Sequence, residues 1–401
     1  MKTRLWLALA VGLALRAGYA WYAQSRHLVP TDVDQYETIA MNVLERGSYS
    51  VEGDQPTASR EPGYPLLIAA VYKLCGGRRP WAMLALNCAM SLATGWLVLL
   101  LGERLLGESG GFAALCVWML YPQAVYYCGY FFRETFTTLL LTGVVCASTR
   151  WADERAGGRA ALAGGLAAGV LGVTNSGLLP AAVFCGLGLW PVTAGATRWR
   201  RLALYYAPVL LLSALWTARN EAAMGRLVLG STHGGEEFYQ ALVVPPEDLG
   251  TERQTAILRD DAALKSVAGA PEAPRNAALL RASARWIAAH PAEYVSRALA
   301  GIAKFWRLWP YERRYGHAYW KIFLASLAFD AWIVPLGLWE LLRRRRGRRL
   351  APAGPIAVAA TTLLYGLIHA VIRYRLPLMP YVAVLAVGFL IPSRRMDRSA
   401  R

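Results

Sequence analysis

Cysteine is scarce. The six residues Cys75, Cys88, Cys116, Cys128, Cys146 and Cys185 fall in or beside apolar runs and form no CxxC pair, so no disulfide framework is written into the chain. Histidine numbers only five, and no group of His, Cys, Asp and Glu has the spacing of a closed metal site. There is no internal repeat and no low-complexity tail beyond short basic clusters, which excludes solenoids and arrays. Acidic residues are few as well, 26 against 43 Lys and Arg, for a formal net charge of +17. An excess of that size can signal nucleic acid, but here arginines cluster between apolar runs, at 78–79, 198–201, 343–349 and 394–395. Charge placed that way sets membrane topology. A lipid bilayer, and no nucleic acid, is the expected partner.

The 401 residues are 56% hydrophobic, and the apolar residues come in helix-spanning runs rather than an amphipathic period. The fold class that follows is an all-α polytopic membrane protein. Spans are expected near 5–22, 81–101, 111–127, 135–149, 160–173, 178–192, 202–217, 319–341, 352–370 and 376–391, about ten transmembrane helices by the length rule. The first follows Lys2 and Arg4, has no convincing small-residue cleavage site and ends in aromatics, so it reads as a retained signal anchor. With the N-terminus inside, most basic segments fall on the inner side. Arg78-Arg79 is the exception. It follows Tyr64 to Cys75, a run too short to cross and suited to the interface. Nearly all ionisable residues are expected at span ends.

Three regions are expected: 1–218, a transmembrane module that includes a first outer loop, 24–79, with interfacial helices; 219–318, a small, mainly helical outer subdomain; and 319–401, the last transmembrane helices. The first loop holds the acidic stretch TDVDQYETIA, an amphipathic segment from Tyr36 to Leu44, and ASREPGYP. Acids at a membrane boundary are costly to place and are more often functional than structural.

Several motifs stand in order along the chain. Asp32, Tyr36, Ile39 and Ala40 are followed by Arg60, Pro62, Gly63, Tyr64 and Pro65; then come YPQAVYYCGYFFRETF, WTARNEAAMGRLVLGSTHGG and RYRLPLMPY. The pattern resembles bacterial GT-C glycosyltransferases of the family 39, protein mannosyltransferase-like group, over essentially the whole chain. One departure is Thr174-Asn175-Ser176, where many relatives carry Thr-Arg-Pro, so a cation at that boundary is absent.

The resemblance implies a transferase that moves a hexosyl or pentosyl unit from a polyprenyl-phosphate carrier to a glycan, lipid or protein acceptor. The expected setting is the inner (plasma) membrane, with the active site facing the periplasm or exterior. Such chemistry needs a base for the acceptor hydroxyl and a cation for the phosphate leaving group. Asp32 is the first candidate for the base, with Asp34 two positions on as the alternative catalytic acid, against a helix N-cap role that Asp34 would fill equally well. Glu134, opening a span beside Arg133, is a second acid. Arg373 and Arg375 lie at the outer boundary against the inside rule; their guanidiniums suit donor phosphate, with snorkelling to lipid headgroups as the alternative. Arg60 joins them, beside Glu61 ahead of a rigid Pro-Gly-Tyr-Pro turn, with a surface ion pair as the bland reading. Tyr36, Glu61, Tyr64, Arg133, Arg219, His233 and His369 complete a substrate-binding set. No cofactor is required, but Mg or Mn bridging Asp32 and Glu134 to phosphate fits hard-cation chemistry. Two other classes compete, a lipid-linked-sugar transporter and a noncatalytic envelope polysaccharide assembly protein. The first would want buried mid-span charges and an inverted repeat.

Overall fold

The computed structural model describes residues 2–26, 32, 34–245, 248, 251–309, 319–344 and 350–391. The basic clusters at 345–349 and 394–395 and the boundary expected at 318 lie outside them. Among the described residues there is no β-strand beyond an isolated Ser50–Pro56 bridge. Eighteen α-helices run in order: α1 (Lys2–Ser25), α2 (Tyr36–Arg46), α3 (Gly63–Leu74), α4 (Pro80–Leu106), α5 (Glu108–Leu120), α6 (Pro122–Tyr126), α7 (Glu134–Ser148), α8 (Gly157–Gly172) and α9 (Leu179–Cys185). The chain continues through α10 (Gly195–Met224), α11 (Gly234–Val243), α12 (Glu252–Asp260), α13 (Ala262–Ser266), α14 (Glu272–Ala289), α15 (Pro291–Phe305), α16 (Tyr319–Arg344), α17 (Ala353–Leu367) and α18 (Met379–Leu390).

Among the described residues, five segments are long and apolar enough to cross a membrane: α1, α4, α10, α16 and Ile372–Leu390, which joins a 3-10 stretch to α18. The other expected spans, at 111–127, 135–149, 160–173, 178–192 and 352–370, fall on helices or helix pairs whose α-helical segments run 16 residues or fewer. Crossing takes about 20 residues, so the count of ten is not reached by length. Helix α10 runs on through the boundary expected at 218 to Met224.

Close helix approach comes from small residues. Gly164, Gly165, Ala168, Gly169 and Gly172 are buried on α8, and a Cβ at Gly165 would stand 2.3 Å from the Tyr205 carbonyl oxygen. One at Gly169 would stand 2.8 Å from the Pro208 carbonyl. Small residues four apart let α8 and α10 backbones meet, the usual basis of packing between membrane helices. The same device joins α4 to α5, where Gly102 faces Gly111, and α15 to α17, where Gly301 faces the Gly366 carbonyl.

Two charges sit in mid-span, contrary to expectation. Arg16 of α1 is fully buried and donates to Ser91 Oγ at 2.8 Å and to the carbonyls of Met119, Gly12 and Trp118 at 2.9, 3.0 and 3.1 Å. Two of those carbonyls belong to the last turn of α5, where helix acceptors have no i+4 donor within the helix. Asp330 of α16 is the other, paired with Arg375 and accepting from Tyr121 Oη at 2.7 Å. Both charges are spent on protein groups and hold helices together.

The exception at Arg78 has a local cause. Its guanidinium grips the buried Glu37 carboxylate, Nε to Oε1 at 3.0 Å and Nη2 to Oε2 at 2.8 Å, and Tyr72 Oη also donates to Glu37. The charge ties α2 to the α3–α4 connection. Helix α2 packs Tyr36 and Ala40 against Tyr64, Ile68 and Tyr72 of α3. At 12 residues, α3 extends about 18 Å.

Candidate active site in a polar basin beside the membrane helices

The turn before α2 separates the two aspartates. Gln35 adopts φ 63°, a left-handed backbone uncommon for a side chain with Cβ. Asp32 folds onto the helix start: Oδ1 accepts from Glu37 N at 2.8 Å, and Oδ2 accepts from Thr38 N at 2.8 Å and Thr38 Oγ1 at 2.7 Å. That is an N-terminal capping interaction using both oxygens. Asp34 instead meets Arg60, with Asp34 Oδ1 3.6 Å from Nη2 and its carbonyl accepting from Nε at 2.9 Å. Tyr36 and Tyr64 pack edge to face at 5.2 Å, both buried.

Glu61 and Arg133 form a second pair, Nη1 to Oε2 at 2.6 Å. Glu61 Oε1 accepts from Ser176 N at 2.9 Å and from Ser176 Oγ. Within Thr174-Asn175-Ser176, where the resembled family carries a cation, Ser176 thus supplies two hydrogen-bond donors to an acid instead. Gly63 fixes this junction. Its N–H donates to the Val173 carbonyl at 2.7 Å, and a Cβ there would meet Thr174 Cα at 3.0 Å.

Glu134 is the first residue of α7, where the helix N-terminus favours a negative charge. It is 5% exposed. Its Oε1 lies 3.4 Å from Arg373 Nε, while Oε2 is buried with no hydrogen-bond partner. Arg373 stands over the rings of Phe132 and Tyr374, at 5.5 and 5.2 Å, and Tyr374 stacks on Tyr365 at 4.7 Å. Aromatic faces hold a guanidinium flat while leaving its edge free to meet an anion.

Helix α11 closes the basin. His233 Nε2 is 3.6 Å from Glu237 Oε1, and His369 Nδ1 is 3.3 Å from the Glu237 carbonyl. Burial, then the nearby Arg60 charge, lowers the His233 pKa, so this ring is neutral near pH 7. Burial alone would raise the Glu237 pKa, but the charges of His233, His369, Arg133 and Arg373 outweigh it and hold the carboxyl below its ordinary value. These residues therefore share one electrostatic neighbourhood.

The basin gathers Asp34, Tyr36, Arg60, Glu61, Tyr64, Arg133, Glu134, His233, His369 and Arg373 from the sequence-derived set. Three others stand apart. Asp32 is a helix cap. Arg375, expected at donor phosphate, is fully buried against Asp330 and the carbonyls of Phe305 and Arg307. Both arginines are expected at the outer boundary, but within the 3-10 stretch Ile372–Leu378 Arg373 stays partly exposed while Arg375 turns inward. Arg219 donates to the Thr57 carbonyl at 2.6 Å and the Tyr49 carbonyl at 3.1 Å and lies over Tyr49 and Trp216, so it staples the loop between α2 and α3. Glu237, Phe132, Tyr365 and Tyr374 were missed. Glu237 carried a weak signal as a first-turn acid after Gly234-Gly235, but its partners come from remote segments.

The fit of a divalent cation can be read from the donor set. No group of three or more His, Cys, Asp or Glu among the described residues could hold a metal ion. Asp32 is spent on α2, and Glu134 offers one free oxygen facing an arginine. The residues present do not fit the Mg or Mn bridge between Asp32 and Glu134.

No protein-family model matches the sequence, and no curated protein sequence matches it. Among solved structures, the chain is similar to the apo oligosaccharyltransferase of Archaeoglobus fulgidus, at TM-score 0.54 and 13% identity over 96% of this chain and 50% of that one. The same enzyme in complex with Zn and sulfate gives TM-score 0.52 and 12% identity over 96% and 48%. ArnT from Cupriavidus metallidurans bound to undecaprenyl phosphate aligns at TM-score 0.44 and 15% identity over 97% and 77%. The chain thus spans about half the length of the archaeal enzyme, and what it shares with that enzyme is the fold.

Proposed function

We propose that the protein is a membrane glycosyltransferase of the GT-C type, moving a sugar from a polyprenyl-phosphate carrier to an acceptor on the outer face of the membrane. The oligosaccharyltransferase-like fold supports the broad GT-C grouping; the narrower family 39 relation rests on sequence motifs alone. One observation carries the reading: a buried carboxylate with an unpartnered oxygen, Glu134 Oε2, faces Arg373 in a basin of paired charges beside the membrane helices.

In this reading the acceptor oxygen attacks the anomeric carbon and the bond from that carbon to phosphate oxygen breaks. The proton of the acceptor hydroxyl passes to Glu134, and the polyprenyl phosphate leaves with its negative charge. Arg373 neutralises that charge, its plane held by Phe132 and Tyr374, because developing anions are stabilised best by prepositioned cations. Arg133 adds a second positive charge across the basin. Asp34, through Arg60, orients the first outer loop and the acceptor. The roles first assigned to Asp32 and Arg375 pass to Glu134 and Arg373.

The test is transfer of radiolabelled sugar from a panel of polyprenyl-phosphate sugars by the protein in lipid nanodiscs. Arg373→Ala should weaken donor binding about 10- to 100-fold, the loss of one charge-assisted contact. Unchanged donor affinity in that variant would remove Arg373 from the phosphate site.

A further inference from the structure

Outside the basin, the outer subdomain contains an open cleft of about 340 Å³ between α11, α12, α13 and α14. Glu236, Gln240, Gln254 and Arg275 form a chain of polar groups along it. Arg275 Nη2 lies 3.0 Å from Glu236 Oε2, Gln240 Nε2 donates to Glu236 Oε1 at 3.1 Å, and Gln254 Nε2 donates to Gln240 Oε1 at 3.2 Å. Each link fixes the direction of the next group. Glu236 is neutralised by Arg275, while Arg275 Nε is buried with no hydrogen-bond partner. Leu258 and Leu264 give the same cleft an apolar wall.

A fixed row of amide, guanidinium and carboxylate groups opposite an apolar wall matches a pyranose ring, which has a hydroxyl edge and a C–H face. The volume lies at the small end of ligand sites, right for one or two sugar units. The frame is rigid. Gly235 N donates to Asn276 Oδ1 at 2.7 Å, and a Cβ at Gly235 would meet the Asn276 carbonyl at 2.6 Å, so α11 lies hard against α14. Adjacent residues on a helix point about 100° apart. Glu236 therefore lines the cleft while Glu237 belongs to the basin, and one short helix borders both sites.

We infer that this cleft is a saccharide subsite, holding a sugar unit of the acceptor while another part of the acceptor reaches Glu134. The inference rests on the transferase reading and names its acceptor class as a glycan. Saturation-transfer NMR on the full chain in nanodiscs, with methyl hexosides and the disaccharides maltose and cellobiose as probes, tests it. Wild type should bind at least one probe saturably. Gln240→Ala and Gln254→Ala, the latter on the more exposed α12, should each weaken binding about tenfold, equivalent to about 1.4 kcal/mol. Glu134→Gln should leave saccharide binding intact, as should Arg373→Ala. Absence of saturable binding by every probe, or equal binding by wild type and both glutamine variants, overturns the subsite. Saccharide binding lost in those variants without turnover in any form would keep the subsite and sink the transferase, so the two failures are distinguishable.

Discussion

At the scale of single residues, the site depends on which charges are spent on structure. Arg375 and Asp330 are both nearly inaccessible and bonded to each other. Removing one partner of a buried pair leaves an uncompensated charge and costs about 3–5 kcal/mol. Arg375→Ala and Asp330→Ala should each lower thermal stability sharply, whereas the double replacement Asp330→Leu with Arg375→Met should recover much of it. Thermal unfolding of the three variants checks this, and equal losses in all three would contradict the pairing. Asp32 should behave as a cap: Asp32→Asn keeps an acceptor for α2 and should cost under about 1 kcal/mol with transfer retained, while Asp32→Ala should lose about 1 kcal/mol. The chemistry-bearing residue types were legible in the sequence at these positions. Their division into caps, staples and free groups was not, because it depends on the left-handed turn at Gln35 and the inward rotation at Arg375.

At the scale of elements, α8 and α10 meet along glycines, so Gly165→Leu should force the helices apart and cost more than about 3 kcal/mol through overpacking and backbone clash. Expression and detergent thermostability read this out; a neutral Gly165→Leu would contradict the observed contact. Helix α11 responds to pH through His233. Its pKa is lowered from an ordinary 6.5, so the unfolded chain binds a proton first as pH falls. Stability from this group is full above about pH 6.5 and is lost as pH drops through the folded value. Replacing His233 with Gln should flatten the stability curve below pH 6.5 and leave it unchanged above. An unchanged acid limb would contradict the buried, neutral ring. The amphipathic segment at Tyr36 to Leu44 and the short Tyr64 helix were readable from periodicity and length. The breaks that shorten the helices at the five other expected spans were not readable, since hydropathy marks where apolar residues lie and says little of where a helix breaks.

At the scale of the whole molecule, helix α14 reaches back to the loop between α2 and α3. Glu272 of α14 accepts from Thr57 Oγ1 at 2.6 Å, Ala58 N at 3.0 Å and Thr232 Oγ1 at 2.9 Å. Arg219 grips the same loop from α10. Basin residues therefore arrive from the first loop, the α7 start, α11 and the segment before α18, a convergence of parts more than 300 positions apart in the chain. An all-helical membrane class was evident from composition. The buried mid-span charges at Arg16 and Asp330 were overlooked because a single charge in a long apolar run barely alters its mean. They are paired within the protein, so they add nothing to a transport reading.

The most direct test compares wild type with Glu134→Gln in nanodiscs, measuring donor binding and sugar transfer on the same preparations. The transferase account expects donor affinity within about threefold of wild type and transfer reduced at least 100-fold, the scale of a lost general base. Transfer at the wild-type rate in Glu134→Gln, with the protein folded and donor bound, would contradict it.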